Sequence, residues 1–293
     1  MTRSAIFFTY GSQRDLDYII SGSEVWPFDE ILIAMGGDIM LPDRLKGKND
    51  GRVKIFHEER RLGKTASYNR IIREVRGEEV FIISGDVRFN PETPSKLLKM
   101  ADSNVGLIIP RVVPVQGKSL AQKVGAVIWS THEIFNSLRD NAGTFFCGGE
   151  FQLIIGTPPA IPEGIINDDE YIGSQIFSSG KRIVYCREAI VSNETPGSFI
   201  RLLQQRVRVN YGHLQCLKLF GSTSSFSLES ARNIRESFSI IRKIIDGKPG
   251  KIFLLFLAVY VEFTSILLSR LDFLLKVDMR KWKIVNPDVR TSK

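Results

Sequence analysis

The sequence predicts an α/β protein, a mostly parallel sheet flanked by helices, followed by amphipathic and apolar helices. Three observations carry this. Short apolar runs alternate with helically spaced segments up to about residue 110. One run, Val80–Ile83, passes straight into Ser84-Gly85-Asp86, which places a carboxylate where a parallel strand would end. After Pro196 both charge and hydropathy change character.

Taken in order, Ala5–Thr9 is predicted as the first strand and Tyr10-Gly11-Ser12 as the loop after it. Leu16–Ile20 begins a helix, and Glu30–Met35 is a second strand running into Gly36-Gly37-Asp38. Val53–Phe56 is a third strand, and Thr65–Val75 has Ala66, Ile71, Ile72 and Val75 at helical spacing. Then come the Val80 strand, a helix from Pro94 to Met100 and a strand at Val105–Ile109. Between Pro110 and Ile165 no period stands out, apart from a small-residue turn, Cys147-Gly148-Gly149, where backbone can approach a ligand. Asn167-Asp168-Asp169-Glu170 opens a helix with acidic residues in its first turn, as the helix dipole favours. That helix ends at Gly180, and Arg182–Cys186 is the last strand.

The tail differs. Residues 1–196 carry 23 Lys/Arg against 25 Asp/Glu, whereas 197–293 carry 17 against 7, so the whole positive excess lies in the last third. Such a segment suits an anionic surface. Phe199–Leu219 reads as a basic helix, Gly221–Ser225 as a link, and Ile234–Ile245 as an amphipathic stretch. Ile252–Leu275 is the most apolar segment and long enough for a span of about 20 residues. Glu262 in its middle, with Arg270 and Asp272 beyond, makes a tilted or interfacial helix as good a reading as a clean crossing. Lys248 and Lys251 precede it, and Lys276, Arg280, Lys281, Trp282 and Lys283 follow, the flanks of a membrane-touching segment. Cys147, Cys186 and Cys216 are far apart, which speaks against a disulfide framework or zinc site. The N-terminal apolar run is too short for a signal peptide. The division expected is 1–196 catalytic, 197–250 basic helices and 251–293 membrane-associated.

Four stretches then fall in order: Arg61-Leu62-Gly63-Lys64 before a helix bearing Asn69; Ser84-Gly85-Asp86; Asn167-Asp168-Asp169; and Gln205-Arg206-Val207-Arg208-Val209. Singly each is ordinary, Asp86 a turn residue, the acidic pair a helix start, the arginines a solvated face. As an ordered set they resemble the family 2 glycosyltransferases of GT-A fold, and more narrowly their cellulose-synthase-like, membrane-associated branch. There the pattern runs GK…N, DxD, TED, QxxRW and then membrane helices. The resemblance implies that Asp86 holds a divalent cation, Mg²⁺ or Mn²⁺, on a sugar-nucleotide diphosphate, with Ser84 in place of the first Asp. It implies that Asp169 is the catalytic base, with Asn167 and Asp168 replacing Thr and Glu. Gln205 and Arg208 match QxxRW, Val209 standing where its Trp would be, and Arg206 is a further diphosphate ligand. Lys64, Tyr10 and Asp38 fall on the nucleotide side, Asp38 as a poor match. Gly148 and Gly149 match the glycine turn beside the acceptor.

The chemistry needs these residue types. A leaving diphosphate gathers charge that a metal and arginines neutralise, and an acceptor hydroxyl needs a carboxylate within hydrogen-bond reach. Attack opposite the leaving group inverts the anomeric centre without a covalent nucleophile. No GxSxG occurs, and His57, His132 and His213 show no triad or metal spacing, so they are expected to be structural. The resemblance points to a GDP-mannose or UDP-sugar donor, a polyprenyl-linked acceptor and anionic lipids at the cytoplasmic face, with one transfer rather than processive synthesis. A sugar nucleotidyltransferase is the second reading, but it needs a glycine- and base-rich loop after the first strand, where only Gly11 and Arg14 stand. A non-catalytic membrane adaptor is the third. Nucleic acid is disfavoured by the apolar run Ile252–Leu268.

Overall fold

The computed structural model describes residues 2–37, 51–59, 63–229, 234–245 and 250–279. The strands are β1 (Arg3–Tyr10), β2 (Glu30–Gly36), β3 (Val53–Glu58), β4 (Glu79–Ser84), β5 (Arg88–Phe89), β6 (Val105–Pro114), β7 (Phe151–Ile155) and β8 (Arg182–Asn193). Among the described residues they form one sheet in the order β3-β2-β1-β4-β7-β6-β8-β5. β1 is parallel to both β2 and β4, and β2 to β3, while β7 runs antiparallel between β4 and β6. Tyr10 pairs with Gly36, Gly36 with Glu58 and Phe8 with Ser84, so four parallel strands end along one edge. The sheet's order turns back at β1, and such an edge is where α/β sheets bind ligands.

Helices α1 (Gln13–Gly22), α2 (Lys64–Ile71), α3 (Thr93–Leu98), α4 (Leu120–Asn141) and α5 (Asp168–Ser178) connect the strands. The unbroken apolar run of β4 follows from burial on both faces. Phe81 and Ile83 enter one core cluster with Phe7, Leu16 and Trp26, while Val80 and Ile82 enter another with Ile6, Tyr68 and Ile172.

The stretch without a visible period holds two elements. β6 continues through Pro110 and Pro114, because β7 pairs with it only at Leu107 and Ile108 and the prolines fall where one side is no longer paired. α4 then runs for 22 residues from a Ser119/Gln122 capping box. Its inward residues Val124, Val127, Ile128 and Phe135 form a third core cluster with the tail. Its other side carries Trp129, His132 and Asn136 toward a cleft, which blurs the amphipathic pattern.

The tail consists of α6 (Phe199–Phe220), α7 (Phe226–Glu229), α8 (Ile234–Ile245) and α9 (Gly250–Leu274). Ser198 caps α6 by accepting from the Arg201 N–H, and Gly221, at φ 72°, closes it in the left-handed region. Ile240 and Ile244 of α8, and Ala258 and Val261 of α9, pack on α4 and on Leu202 of α6. Glu262, awkward in a bilayer, has a protein partner: Arg206 Nε lies 2.5 Å from Glu262 Oε1 and Nη2 3.3 Å from Oε2. Among the described residues, α9 is the one helix long and apolar enough to cross a membrane.

Candidate active site

α2 begins at Lys64 and fastens the segment that leads to the acidic residues. Asn69 Nδ2 donates to Ile161 O at 2.6 Å and Asn69 Oδ1 accepts from Ile161 N at 2.9 Å. Thr65 Oγ1 donates to Ile165 O at 2.8 Å. This fixes the start of α5, whose first residues are Asp168 and Asp169. Lys64 Nζ lies 2.9 Å from Asp168 Oδ2. Burial works against the ammonium, but attraction to Asp168 and Asp169 outweighs it and raises its pKa, with Arg208 opposing.

Two of the departures from the motif pattern, Asn167 and Val209, meet. Asn167 Nδ2 donates to Val209 O at 2.9 Å, and a Cβ at Gly212 would stand 2.3 Å from Asn167 Cγ. α5 and α6 therefore touch where only glycine fits.

From the sheet side, the end of β4 brings Ser84 and Asp86. Ser84 N donates to Glu150 O at 3.0 Å, and its Oγ to Gly149 O at 3.4 Å. A Cβ on Gly149 would lie 2.7 Å from Asp169 Oδ2, so the glycine turn is the backbone against the proposed base. Lys64, Ser84, Asp86, Gly148, Gly149, Asp168, Asp169, Gln205, Arg206 and Arg208 all line one cleft of about 300 Å³.

Two candidates stand elsewhere. Tyr10 closes β1 outside that lining, its ring 2.8 Å from where a Cβ on Gly36 would sit. Asp38 lies outside the described residues, as do Arg61 and Leu62. Arg206 borders the cleft, but its guanidinium forks onto Glu262 of α9, and it is 7% exposed.

The cleft also holds Glu150, which sequence reasoning passed over although it follows the glycine turn directly. Burial, Asp169 and Asp86 push its carboxyl up to about 8, against Lys64. Asp169 is raised to about 6 by burial and by Asp168 and Glu170, against Lys64 and His213. Asp86 opens to solvent, yet the protein around it and Asp15 raise its carboxyl, with Lys64 and Arg88 opposing. Behind Asp169, the wholly buried Glu170 accepts from Thr223 Oγ1 at 2.6 Å and Ser224 N at 2.7 Å and meets His213 Nδ1 at 2.5 Å. These bonds hold the carboxylate below its usual range despite burial. His213 thus partners Glu170 at the edge of the cleft.

Residues 40–155 match the model of glycosyl transferase family 2. No curated protein sequence matches the chain. Among solved structures, the mannosyltransferase PcManGT from Pyrobaculum calidifontis, in complex with GDP-Man and Mn²⁺, aligns at TM-score 0.63 and 13% identity, over 94% of this chain and 87% of that one. S. aureus TarS 1-349 aligns at TM-score 0.47 and 15% identity, over 94% and 92%. Glucosyl-3-phosphoglycerate synthase from Mycobacterium tuberculosis aligns at 0.49 and 14%, over 76% and 81%. The fold is GT-A-like, a mixed and mostly parallel sheet flanked by helices with an apolar C-terminal helix.

Proposed function

We propose that this chain is an inverting hexosyltransferase that moves a sugar from a nucleoside diphosphate sugar to a hydroxyl of a lipid-linked acceptor. The reading places it at the membrane with the cleft on the cytoplasmic side. The observation that carries it is the setting of Asp169: a carboxylate raised to about 6, against the Gly149 backbone, in a cleft with Asp86, Lys64 and Arg208.

In the reaction, Asp169 takes the acceptor hydroxyl's proton while that oxygen bonds to the anomeric carbon and the bond to the diphosphate breaks. Attack from the opposite side inverts the centre. Arg208 and Lys64 face the charge gathering on the leaving group. Lys64 is held for this by Asp168, and Ser84 by the turn at Gly149.

The donor set fits a hard divalent cation, Mg²⁺ or Mn²⁺. Asp86, Glu150 and Asp169 are all raised, by burial first and by neighbouring carboxylates second, and a bound cation would favour their charged forms. Asp86 would hold the cation together with the substrate's phosphates, as hard divalent ions are often held by one or two carboxylates. When bound, the ion supplies charge neutralisation at the diphosphate. PcManGT, crystallised with GDP-Man and Mn²⁺, supports a GDP-sugar as the first donor to try.

Detergent-solubilised protein, given GDP- and UDP-sugars with Mg²⁺ or Mn²⁺, tests this. Turnover of one donor, lost in Asp169→Asn while nucleotide binding persists, is expected. Absence of nucleotide-sugar binding with and without metal would discard the reading in favour of a membrane adaptor.

A further inference from the structure

The two faces of α9 differ in kind. Ala258, Val261, Ser265 and Ser269 are buried, a narrow stripe of small residues toward α4 and α6. Asn210 Nδ2 donates to Ser265 Oγ at 2.8 Å, and Ser227 Oγ to Glu262 Oε2 at 2.7 Å, beside the Arg206 fork. The opposite face exposes Phe253, Phe256, Val259, Tyr260, Phe263, Leu267, Leu271 and Leu274. At 1.5 Å per residue this ridge runs for about 31 Å. Isolated apolar side chains on a surface need no explanation, but a continuous ridge does.

We propose that α9 lies in the plane of an anionic membrane surface as a monotopic anchor, its outer face in the acyl boundary and its inner face on the protein. This rests on the membrane part of the reading above. To cross the bilayer, α9 would have to leave α4 and α6, stranding Glu262 without Arg206 and Ser265 without Asn210 in hydrocarbon. Lying flat, it keeps every one of those partners. Charge complementarity favours lipid over a second protein copy. Arg242 and Lys243 of α8 are exposed beside α9, Lys276 is exposed at its end, and residues 197–293 carry the chain's entire positive excess. Arg270, at the edge of the outer face, has a stem long enough to lift its guanidinium to the headgroups.

The arrangement has a consequence for the cleft. α6 lies between α9 and the cleft and supplies Gln205 and Arg208 to its lining. The wall of the cleft then stands about one interhelical distance, 8–10 Å, from the bilayer. An acceptor whose lipid remains in the membrane can reach it.

Depth measurement on the full chain tests the proposal without any donor. Cys147, Cys186 and Cys216 are buried, so a fluorophore on Phe253→Cys, Phe263→Cys or Leu274→Cys reports one site each. The variants are bound to vesicles of phosphatidylcholine with phosphatidylglycerol and quenched by lipids spin-labelled at shallow or deep positions. The expected result is one shallow depth for all three, with binding that weakens by about tenfold or more when phosphatidylglycerol is omitted. A crossing helix would instead put residue 263 deepest and its ends, about 31 Å apart, at opposite interfaces. That pattern overturns the proposal, as does self-association in solution without vesicle binding. An enzyme that fails every donor yet gives equal shallow depths would sink the transferase reading alone.

Discussion

Gly149 and Asp169 share a space that admits no further atom: a Cβ at 149 would lie 2.7 Å from Asp169 Oδ2 and 2.8 Å from its Cγ. The obstructing group is a short side chain in the first turn of α5, its Cβ only 3.1 Å away as well, so making room displaces the helix start along with the carboxylate. Moving aside misplaces the base. Gly149→Ala is expected to lower kcat by about 10²-fold, the scale of a misplacement near 1 Å, with some loss of Tm beside it. Gly148→Ala is the control, because its Cβ meets only Ile109 Cδ1 at 3.4 Å and Glu150 Oε2 at 3.9 Å. Equal losses in both variants would refute the steric account.

The pH profile follows from the same residue. A base works deprotonated, and burial with Asp168 raises the Asp169 carboxyl to about 6. Activity should therefore fall below pH 6, with a slope of one proton, and level off above it. Asp169→Asn should lose about 10²–10⁴-fold on the plateau above pH 6 and show no such limb. Initial rates between pH 4.5 and 8 decide it. A limb that survives in Asp169→Asn would assign the titration to another group.

Much of this site was legible because its residues sit at ends of elements. Asp86 follows an apolar strand, and Asp168 and Asp169 open a helix, so a break in periodicity marks each one. α8 was readable as a helix over Ile234–Ile245, since its apolar residues recur at helical spacing. α4 was not, because one side packs on the tail and the other lines the cleft with Trp129, His132 and Asn136. Glu262 is a different failure. Its partner Arg206 is 56 residues away, and no local pattern encodes so distant an ion pair. Glu150 was missed for want of a motif, since a lone acid after two glycines looks like turn chemistry.

Glu150 gives a prediction about stability. Its folded-state carboxyl titrates at about 8, well above an ordinary glutamate at about 4.3. Between those values the folded protein holds the proton more tightly than the unfolded chain, so stability falls as pH rises and the penalty is complete above pH 8. Glu150→Gln removes it. The variant should match wild type near pH 4 and gain on it steadily to pH 9, by on the order of a few kcal/mol. Thermal unfolding across that range is the measurement, and a difference independent of pH would contradict the assignment.

Arg206 separates two roles that its sequence neighbourhood confounds. Between Gln205 and Arg208 it invites assignment to the donor diphosphate, whereas the structure gives its guanidinium to Glu262. Arg206→Met leaves the Glu262 carboxylate without its charge partner, with the Ser227 hydroxyl still donating to it, and losing one partner of a buried pair costs about 3–5 kcal/mol. Removing both charges leaves neither stranded, so Arg206→Met/Glu262→Gln should recover most of that loss. The double variant then isolates the catalytic question. If Arg206 serves only α9, the restored protein keeps wild-type donor KM and kcat. If Arg206 also grips the diphosphate, stability returns while donor affinity stays weak. Urea unfolding in detergent with donor titration on the same samples reads both, and Arg208→Met, which alters the cleft without touching Glu262, should weaken donor binding.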